Sequence, residues 1–447
     1  MTARSRAREA SVLAQLLRCG LVRLSRVAVL LAPLTLVALA AAAQPRPSAR
    51  NDRLVPLDPA VRSMLVVEDG AIARVGPREG AARRGLVVEG TRVPVRRRVA
   101  GTGCPTGVWL EVGDDAYLCE SSLEASRALP SGVAQPEVER GGVLPFTYAF
   151  VGFDATRAYA RPEDYAADEY LEAYGEGFGL ALRSRVTRGG TRFVVTRTGR
   201  YVPDEGLRFV RASEFVGVAI PPGGALDAAW AVRERVIVRT AARRGRELTR
   251  LRRLDRVRVV GEERGVLQIS VSLQQGDAPP QEQLGYVSAR EVVRARVAAR
   301  PAEVAADERW IDVDTATQTL VAYEGDRPVY ATLVSTGRAG RATETPRGVH
   351  RIWVKLATSD MDDLERDDVE RNYRIEAVPW VQFFAGSNGL HAAFWHDRYG
   401  ARHSHGCVNL SARDARALFD FTGPHLPAGW SAVLPSAQER GTVVRVR

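Results

Sequence analysis

The sequence predicts a mainly β, multi-domain chain: small β barrels in series, then a larger β-rich domain that ends with a short helix. Three observations carry this. Short alternating apolar runs recur between Gly, Pro and Asp breaks over most of the chain. The stretch SARDARALFDF, near the end, opens with Ser411 and Asp414 at capping-box spacing and closes at Gly423-Pro424. The length, 447 residues, suits two to four domains, and 26% charged with 45% hydrophobic residues is ordinary globular composition.

The elements follow in order. The basic start MTARSRAREASVLAQLLRCGLVRLSR leads into VAVLLAPLTLVALAAAAQ, an apolar run ending in Ala41-Ala42-Ala43. That pattern reads as a secretory signal over 1–43, cleaved near Gln44, with an uncleaved anchor left open by the long basic region. The expected location is therefore outside the cytoplasm, in a periplasm or envelope. No later stretch approaches the roughly 18 apolar residues of a membrane span. A Pro/Ser/Arg linker covers 44–60. Runs such as GLVVEGTRVPVRRRV and VWLEVGDDAYLCE predict a small β module at 61–128. A middle β module with a Tyr/Asp-rich insert (ARPEDYAADEYLEAYGEG) is expected at 144–222, and a third module at 228–298. WLEV…AYLCESSL, FVVTRTGRYVPDEGL and LQISV…GYVSAREV share a faint strand–turn–strand repeat. These segments resemble the bacterial SH3-like modules placed ahead of envelope enzymes, which implies binding or spacing. The last domain is expected at 307–436. It opens with the meander WIDVDTATQTLVAYEGDRPVYATLVSTG and carries the acidic run SDMDDLERDDVERNY, which reads as a solvated loop or short helix.

The formal charge of +10 comes from arginines spread along the chain and reads as solvated surface. No basic motif interleaved with aromatics argues for nucleic acid.

Cysteine usage sharpens the question of chemistry. Without the signal, Cys104, Cys119 and Cys407 remain. In an oxidising compartment Cys104 and Cys119 are expected to pair, closing a loop worth ~3 kcal/mol. Cys407 is then the odd cysteine, either a reactive thiol or a buried filler. It lies in HSHGCVNLS, just before the predicted helix. A thiol near its free pKa of ~8.5 needs a base or a positive neighbour to act as a nucleophile. In an extended strand His405 would share a face with Cys407. His391, sixteen residues upstream, suits a neighbouring strand joined by a loop. Gly406 permits close backbone approach, and the amides of Gly406 and Cys407 can face an oxyanion. A metal reading competes, with His403, His405 and Cys407 alternating and His391 or His396 completing a tetrahedron, but the usual paired-ligand spacing is missing.

HAAFWHDRYGARHSHGCVNLS resembles the signature of YkuD-type L,D-transpeptidase catalytic domains: a histidine, a spacer, then Ser/Thr-His-Gly-Cys, an apolar residue and often Asn. VSTGRAGRATETPRGVHRI fits the family's upstream Ser-Thr-Gly…Thr-Pro-x-Gly stretch, at Ser335 to Gly337 and Thr345 to Gly348. The likeness covers about Arg309 to Leu434. One departure is His350, where the family commonly has an aromatic or apolar residue.

The resemblance implies an enzyme that acts on peptidoglycan stem peptides. Cys407 would attack the carbonyl at the L-centre of diaminopimelate, expel D-Ala and form a thioester. The acyl group would pass to an amine of another stem or of an envelope lipoprotein. His391 would be the base, oriented by the carbonyl of Ala392. Gly406, Ser404, His405 and Asn409 would shape the loop and the oxyanion site, and Trp395 and His396 the substrate groove. No cofactor or metal is implied, and a carbapenem would be expected to acylate Cys407. The alternatives are a catalytically inactive wall-binding protein and an L,D-carboxypeptidase using the same acyl-enzyme. A papain-like endopeptidase is disfavoured, because there the cysteine precedes the histidine in the chain.

Overall fold

The computed structural model describes residues 53–273, 281–340, 342–362 and 374–447. The expected signal at 1–43, the first part of the linker and most of the acidic run at 359–373 lie outside the described residues. Leu54–Arg447 form one compact unit. It is mainly β, and among the described residues no helix is long and apolar enough to cross a membrane.

The first β part runs from Ser63–Val66 to Leu123–Ser126 around Met64, Val66, Ala73, Leu110 and Leu118. Its alternating residues put one side of each strand inward, as the pleat requires. Cys104 and Cys119 are joined by a disulfide. This part does not stand apart. Its strand Arg83–Val87 pairs antiparallel with Trp430–Val433 of the last domain, with Leu86 opposite Ala432. Gly85 makes the pairing possible: a Cβ there would lie 2.3 Å from the Ala432 carbonyl oxygen and 2.6 Å from the Trp430 ring. Trp430 thereby fills the first part's core.

The middle part is built from Thr147–Val151, Gly179–Arg188, Thr191–Thr196, Tyr201–Pro203 and Leu207–Phe209. Its apolar centre includes Ala149, Val151, Leu180, Leu182 and Val194. Gly179 bridges in parallel to Ile375, and the Ala181 amide donates to the buried Glu376 carboxylate at 3.3 Å. The third part is a seven-stranded sheet from Ala229–Ala231 to Val292–Arg294, with Val236, Val238, Ile269 and Val287 inside. Trp230, in the strand Ala229–Ala231, is buried in a cluster with Tyr399 of the last domain.

The last domain holds the remaining sheets. One has the order Val218–Ala219, Arg327–Leu333, Thr319–Glu324, Arg309–Asp314, Val443–Val446, Gly348–Arg351. Its strand Val443–Val446 pairs in parallel with Arg309–Asp314, beyond the expected end of the domain at 436. The tail after Leu434 turns at Ser436–Glu439 before this short strand, whose pairing partner lies at the other end of the domain, so sequence reading ended the domain before it. The second layer contains Val354–Asp362, Arg374–Ala385, Asn388–Ala392 and Val408–Leu410. Between the layers lie Ile311, Val313, Leu320, Trp380, Leu390, Val408, Leu418 and Phe419.

The helix Ala412–Phe421 packs on this core. Ser411 caps it, its Oγ accepting from the Asp414 amide at 3.1 Å. The Asp414 carboxylate does not complete the expected box. It turns outward to accept from the Gly217 amide (2.8 Å), Tyr330 Oη (2.6 Å) and Thr332 Oγ1 (2.5 Å), which tethers the linker before the third part. At the other end Lys355, fully buried, donates from Nζ to the carbonyls of Phe419 (2.5 Å) and Thr422 (2.7 Å). A cation there satisfies carbonyls that have no intrahelical partner.

Candidate active site

Two strands place the candidate residues. Asn388–Ala392 and Val408–Leu410 run parallel, with His391 opposite Asn409 and Leu390 opposite Val408. His391 is thus one strand away from the residues just after Cys407, near the C-terminal end of its strand, while Cys407 lies just ahead of the start of the other. The chain reverses through 393–407 between them. The Ala393 amide bonds the Leu410 carbonyl at 2.8 Å, and Tyr399 Oη donates to the Ala393 carbonyl at 2.9 Å, so this connection is pinned from below.

His391 is buried, 3% exposed. Its Nδ1 lies 3.0 Å from the Ala392 carbonyl oxygen, which can only accept. Nδ1 therefore carries the proton, and Nε2 is left with a free lone pair. Burial lowers its pKa to about 4, against the Ala392 carbonyl, which favours the charged form. At neutral pH the ring is an uncharged base. Trp395 stacks on it, with ring centres 5.9 Å apart.

Cys407 is the free cysteine of the described residues and is partly exposed. Its Sγ lies 3.7 Å from the Ser387 carbonyl oxygen. Burial pushes the thiol up to about 11, against the Gly389 amide beside it, which favours the thiolate. A thiol at that level is about one part in 10⁴ thiolate at pH 7, so the proton has to leave during attack and a base is needed.

The loop before Cys407 is not the extended strand expected from HSHGC. Ser404 makes a single bridge to Gly337, His405 to Cys407 bend, and the strand begins at Val408. His405 consequently does not alternate onto the thiol's face. It is exposed and rests on the Arg338 guanidinium. Ser404 Oγ donates to the Cys407 carbonyl (2.5 Å) and accepts from the Gly406 amide (3.1 Å). That corrects the oxyanion assignment: the Gly406 N–H is taken by the loop, and Cys407 N–H remains as the donor of the expected pair. Gly406 has φ +129°, and a Cβ on it would meet Asn388 Oδ1 at 2.1 Å. Only glycine lets the loop pass that side chain.

The upstream Ser-Thr-Gly stretch forms the cradle of this loop. Ser335 and Asn409 exchange both backbone hydrogen bonds, at 3.0 and 2.9 Å. The Thr336 carbonyl accepts from the amides of His403 and Ser404, and Thr345 Oγ1 accepts from the Gly337 amide at 2.8 Å. His396 sits deeper. Its Nδ1 accepts from the Arg398 amide at 3.1 Å, and its Nε2 is 2.9 Å from the Asn409 side-chain amide. Since burial, with His403 next, lowers its pKa to about 3, the neutral ring carries its proton on Nε2 and the Asn409 oxygen must face it. His396 is therefore committed to holding Asn409, and His403 packs edge-on against it at 4.7 Å. The metal reading needed His403, His405 and Cys407 on one strand face, and the bend removes that face. His350 lies against Phe384, with Nε2 3.2 Å from the Pro346 carbonyl.

Several neighbours escaped sequence reasoning. Ser387 and Gly389 flank the sulfur, Tyr399 pins the connection, and Arg338 meets His405. None belongs to a spacing pattern that marks chemistry.

A buried neutral imidazole on one strand and a free thiol just ahead of the parallel neighbouring strand make this a candidate cysteine–histidine site on a two-layer β domain. Residues 308–446 match the YkuD family, described as the L,D-transpeptidase catalytic domain, and this part of the chain is a YkuD-type domain. Solved structures are similar to parts of this chain. An Enterococcus faecium L,D-transpeptidase carrying a cysteine-to-serine change is 22% identical, over 31% of this chain and 50% of that one, at TM-score 0.24. One from Stackebrandtia nassauensis is 26% identical over 32% and 58%, at 0.22. One from Mycobacterium smegmatis is 17% identical over 41% and 89%, at 0.25. Scores this low carry no argument of their own. The chain spans about half the length of the first of these structures. No curated protein matches it.

Proposed function

We propose that the protein is an exported peptidoglycan L,D-transpeptidase in which Cys407 is the nucleophile and His391 the general base. The observation that carries this is the His391 tautomer. Nδ1–H is tied to the Ala392 carbonyl, so Nε2 is free to take the thiol proton.

As Sγ attacks the carbonyl at the L-centre of diaminopimelate in a stem peptide, its proton passes to His391 Nε2. The developing oxyanion accepts a hydrogen bond from Cys407 N–H, a preorganised donor in a loop held by Ser404. Collapse breaks the bond to D-Ala, whose amine takes the proton from His391, and a thioester on Cys407 remains. An amine of a second stem or of an envelope lipoprotein then attacks the thioester, gives a proton to Nε2, and releases the thiol. Water in the same position gives an L,D-carboxypeptidase. No step calls on a metal. The upstream β parts, read as SH3-like modules, contribute wall binding or spacing.

The test is intact-mass spectrometry of the mature protein with a carbapenem, beside Cys407→Ala. We expect a single covalent adduct on the wild type and none on the variant. A folded wild type that stays unmodified, or that binds sacculi without releasing D-Ala, would turn the reading to a catalytically inactive wall-binding protein.

A further inference from the structure

The geometry points to a second role for the middle β part: we propose that Tyr148 is a positioning residue for His391, acting through a run of aromatic rings that crosses from the middle part into the catalytic site. This rests on the reading of His391 as the base.

Tyr148 lies in the strand Thr147–Val151 and is 1% exposed. Its ring stacks on Phe394, with centres 3.8 Å apart and planes 28° from parallel. Phe394 meets Trp395 edge-on at 5.0 Å, and Trp395 stacks on His391 at 5.9 Å. The Tyr148 hydroxyl donates to the Ala377 carbonyl at 2.7 Å, which fixes the ring against sliding. The residues from His391 to Trp395 form the strand end and the first turn after it. Their backbone is held at Ala393 by Leu410 and Tyr399. Trp395 also meets His396 edge-on at 6.1 Å, and the middle part supplies the face against Phe394.

The physical reason is the freedom of an imidazole. One hydrogen bond, from Nδ1 to Ala392, sets the tautomer but leaves the ring free to tilt about it. A flat neighbour removes that tilt, and Trp395 is such a neighbour only if it is itself held. Phe394 holds it, and Tyr148 holds Phe394. Aromatic pairs of this kind are worth more than their buried area because offset and edge geometries are directional. An ångström of misplacement at a proton-transfer atom is enough to cost about 10²-fold in rate. The middle part also has independent anchors, the Gly179–Ile375 bridge and the Ala181–Glu376 hydrogen bond. Changing one ring should therefore leave it docked.

The experiment uses the full chain and three variants: Tyr148→Phe, Tyr148→Leu and Tyr148→Met. Two quantities are measured, the saturating rate constant of carbapenem acylation at Cys407 and the imidazole ¹⁵N spectrum of His391. Tyr148→Phe keeps the ring and should stay within about 3-fold of wild type. Tyr148→Leu and Tyr148→Met keep apolar bulk without a flat face, and should lower the saturating rate about 10- to 100-fold. The half-saturating carbapenem concentration should change little, and the His391 nitrogens should move from one tautomer toward averaged shifts. The methionine variant stands in if the leucine variant does not fold. Wild-type rate and spectrum in the folded leucine or methionine variant would overturn the proposal. So would a phenylalanine variant as impaired as they are, since the hydroxyl and not the ring would then matter. A wild type without any adduct would sink the catalytic reading instead, and the His391 spectrum would still decide the positioning.

Discussion

At the scale of residues the candidate site keeps two titrating groups neutral. His391 sits at about 4 and Cys407 at about 11, both because burial penalises their charged forms. Acylation should therefore be flat across neutral pH and fall as pH drops through about 4, where Nε2 becomes protonated. A pH–rate profile with its acid limb near 6.5 would mean that the imidazole is solvated and not buried. The same shift has a stability consequence. The unfolded ring takes a proton near its ordinary value while the folded ring resists until about 4, so the unfolded state binds more protons in between. Folding stability falls as pH is lowered through that window, by about 3 kcal/mol for this group. Thermal melts at neutral pH and just above 4 should show the wild type losing more than His391→Gln. His391→Ala should also slow acylation by about 10²- to 10⁴-fold, the usual worth of general base help. His403→Ala should do little, because His403 only packs on His396. Gly406→Ala asks for a left-handed φ and puts a methyl into Asn388. It should cost about 1–3 kcal/mol and displace the cysteine loop, read as a lowered Tm together with a lost adduct.

At the scale of elements the helix Ala412–Phe421 anchors the cysteine strand, and it is tied at both ends by buried charge. Asp414 gathers three donors at its start. Lys355 closes its end, although burial drives the ammonium down to about 7. Lys355→Met would leave the buried Thr422 carbonyl without its donor and the Phe419 carbonyl with only the long bond from Thr422 Oγ1 at 3.4 Å. We expect a loss of about 2 kcal/mol, since an unmade buried hydrogen bond costs about 1–3 kcal/mol and relief of the buried charge offsets part of it. Urea denaturation at pH 7 measures it; no change would mean that water replaces the lysine. Ser411→Ala removes one cap and should cost about 1 kcal/mol.

At the scale of the molecule the upstream parts are joined to the catalytic domain by strands, not only by linkers. The first part shares a sheet edge at Val87 and Trp430, and the middle part at Gly179 and Ile375. Unfolding of Leu54–Arg447 should therefore be a single cooperative transition by calorimetry, where beads on linkers would give separate ones. Reducing the Cys104–Cys119 bond, which spans 15 residues, should remove about 3 kcal/mol in the chain-entropy model. It should lower that one Tm while leaving the Cys407 adduct intact.

The mainly β class and the YkuD-type domain were legible in the sequence alone, for a local reason. Alternation and turn residues act over a few positions, and the His391 to Asn409 stretch carries its motif within one connection and the two strands that flank it. What only the tertiary structure decided is what distance along the chain conceals. The bend at His405–Cys407 follows from Gly337 and Thr336 cradling the loop, which alternation in HSHGC could not reveal. The last strand, Val443–Val446, exists because Arg309–Asp314 offers it an edge. Tyr148 lies beneath Phe394 through packing between parts that share no motif. Local propensity and spacing determined which residues could do chemistry; long-range burial and pairing decided which way they face and what holds them there.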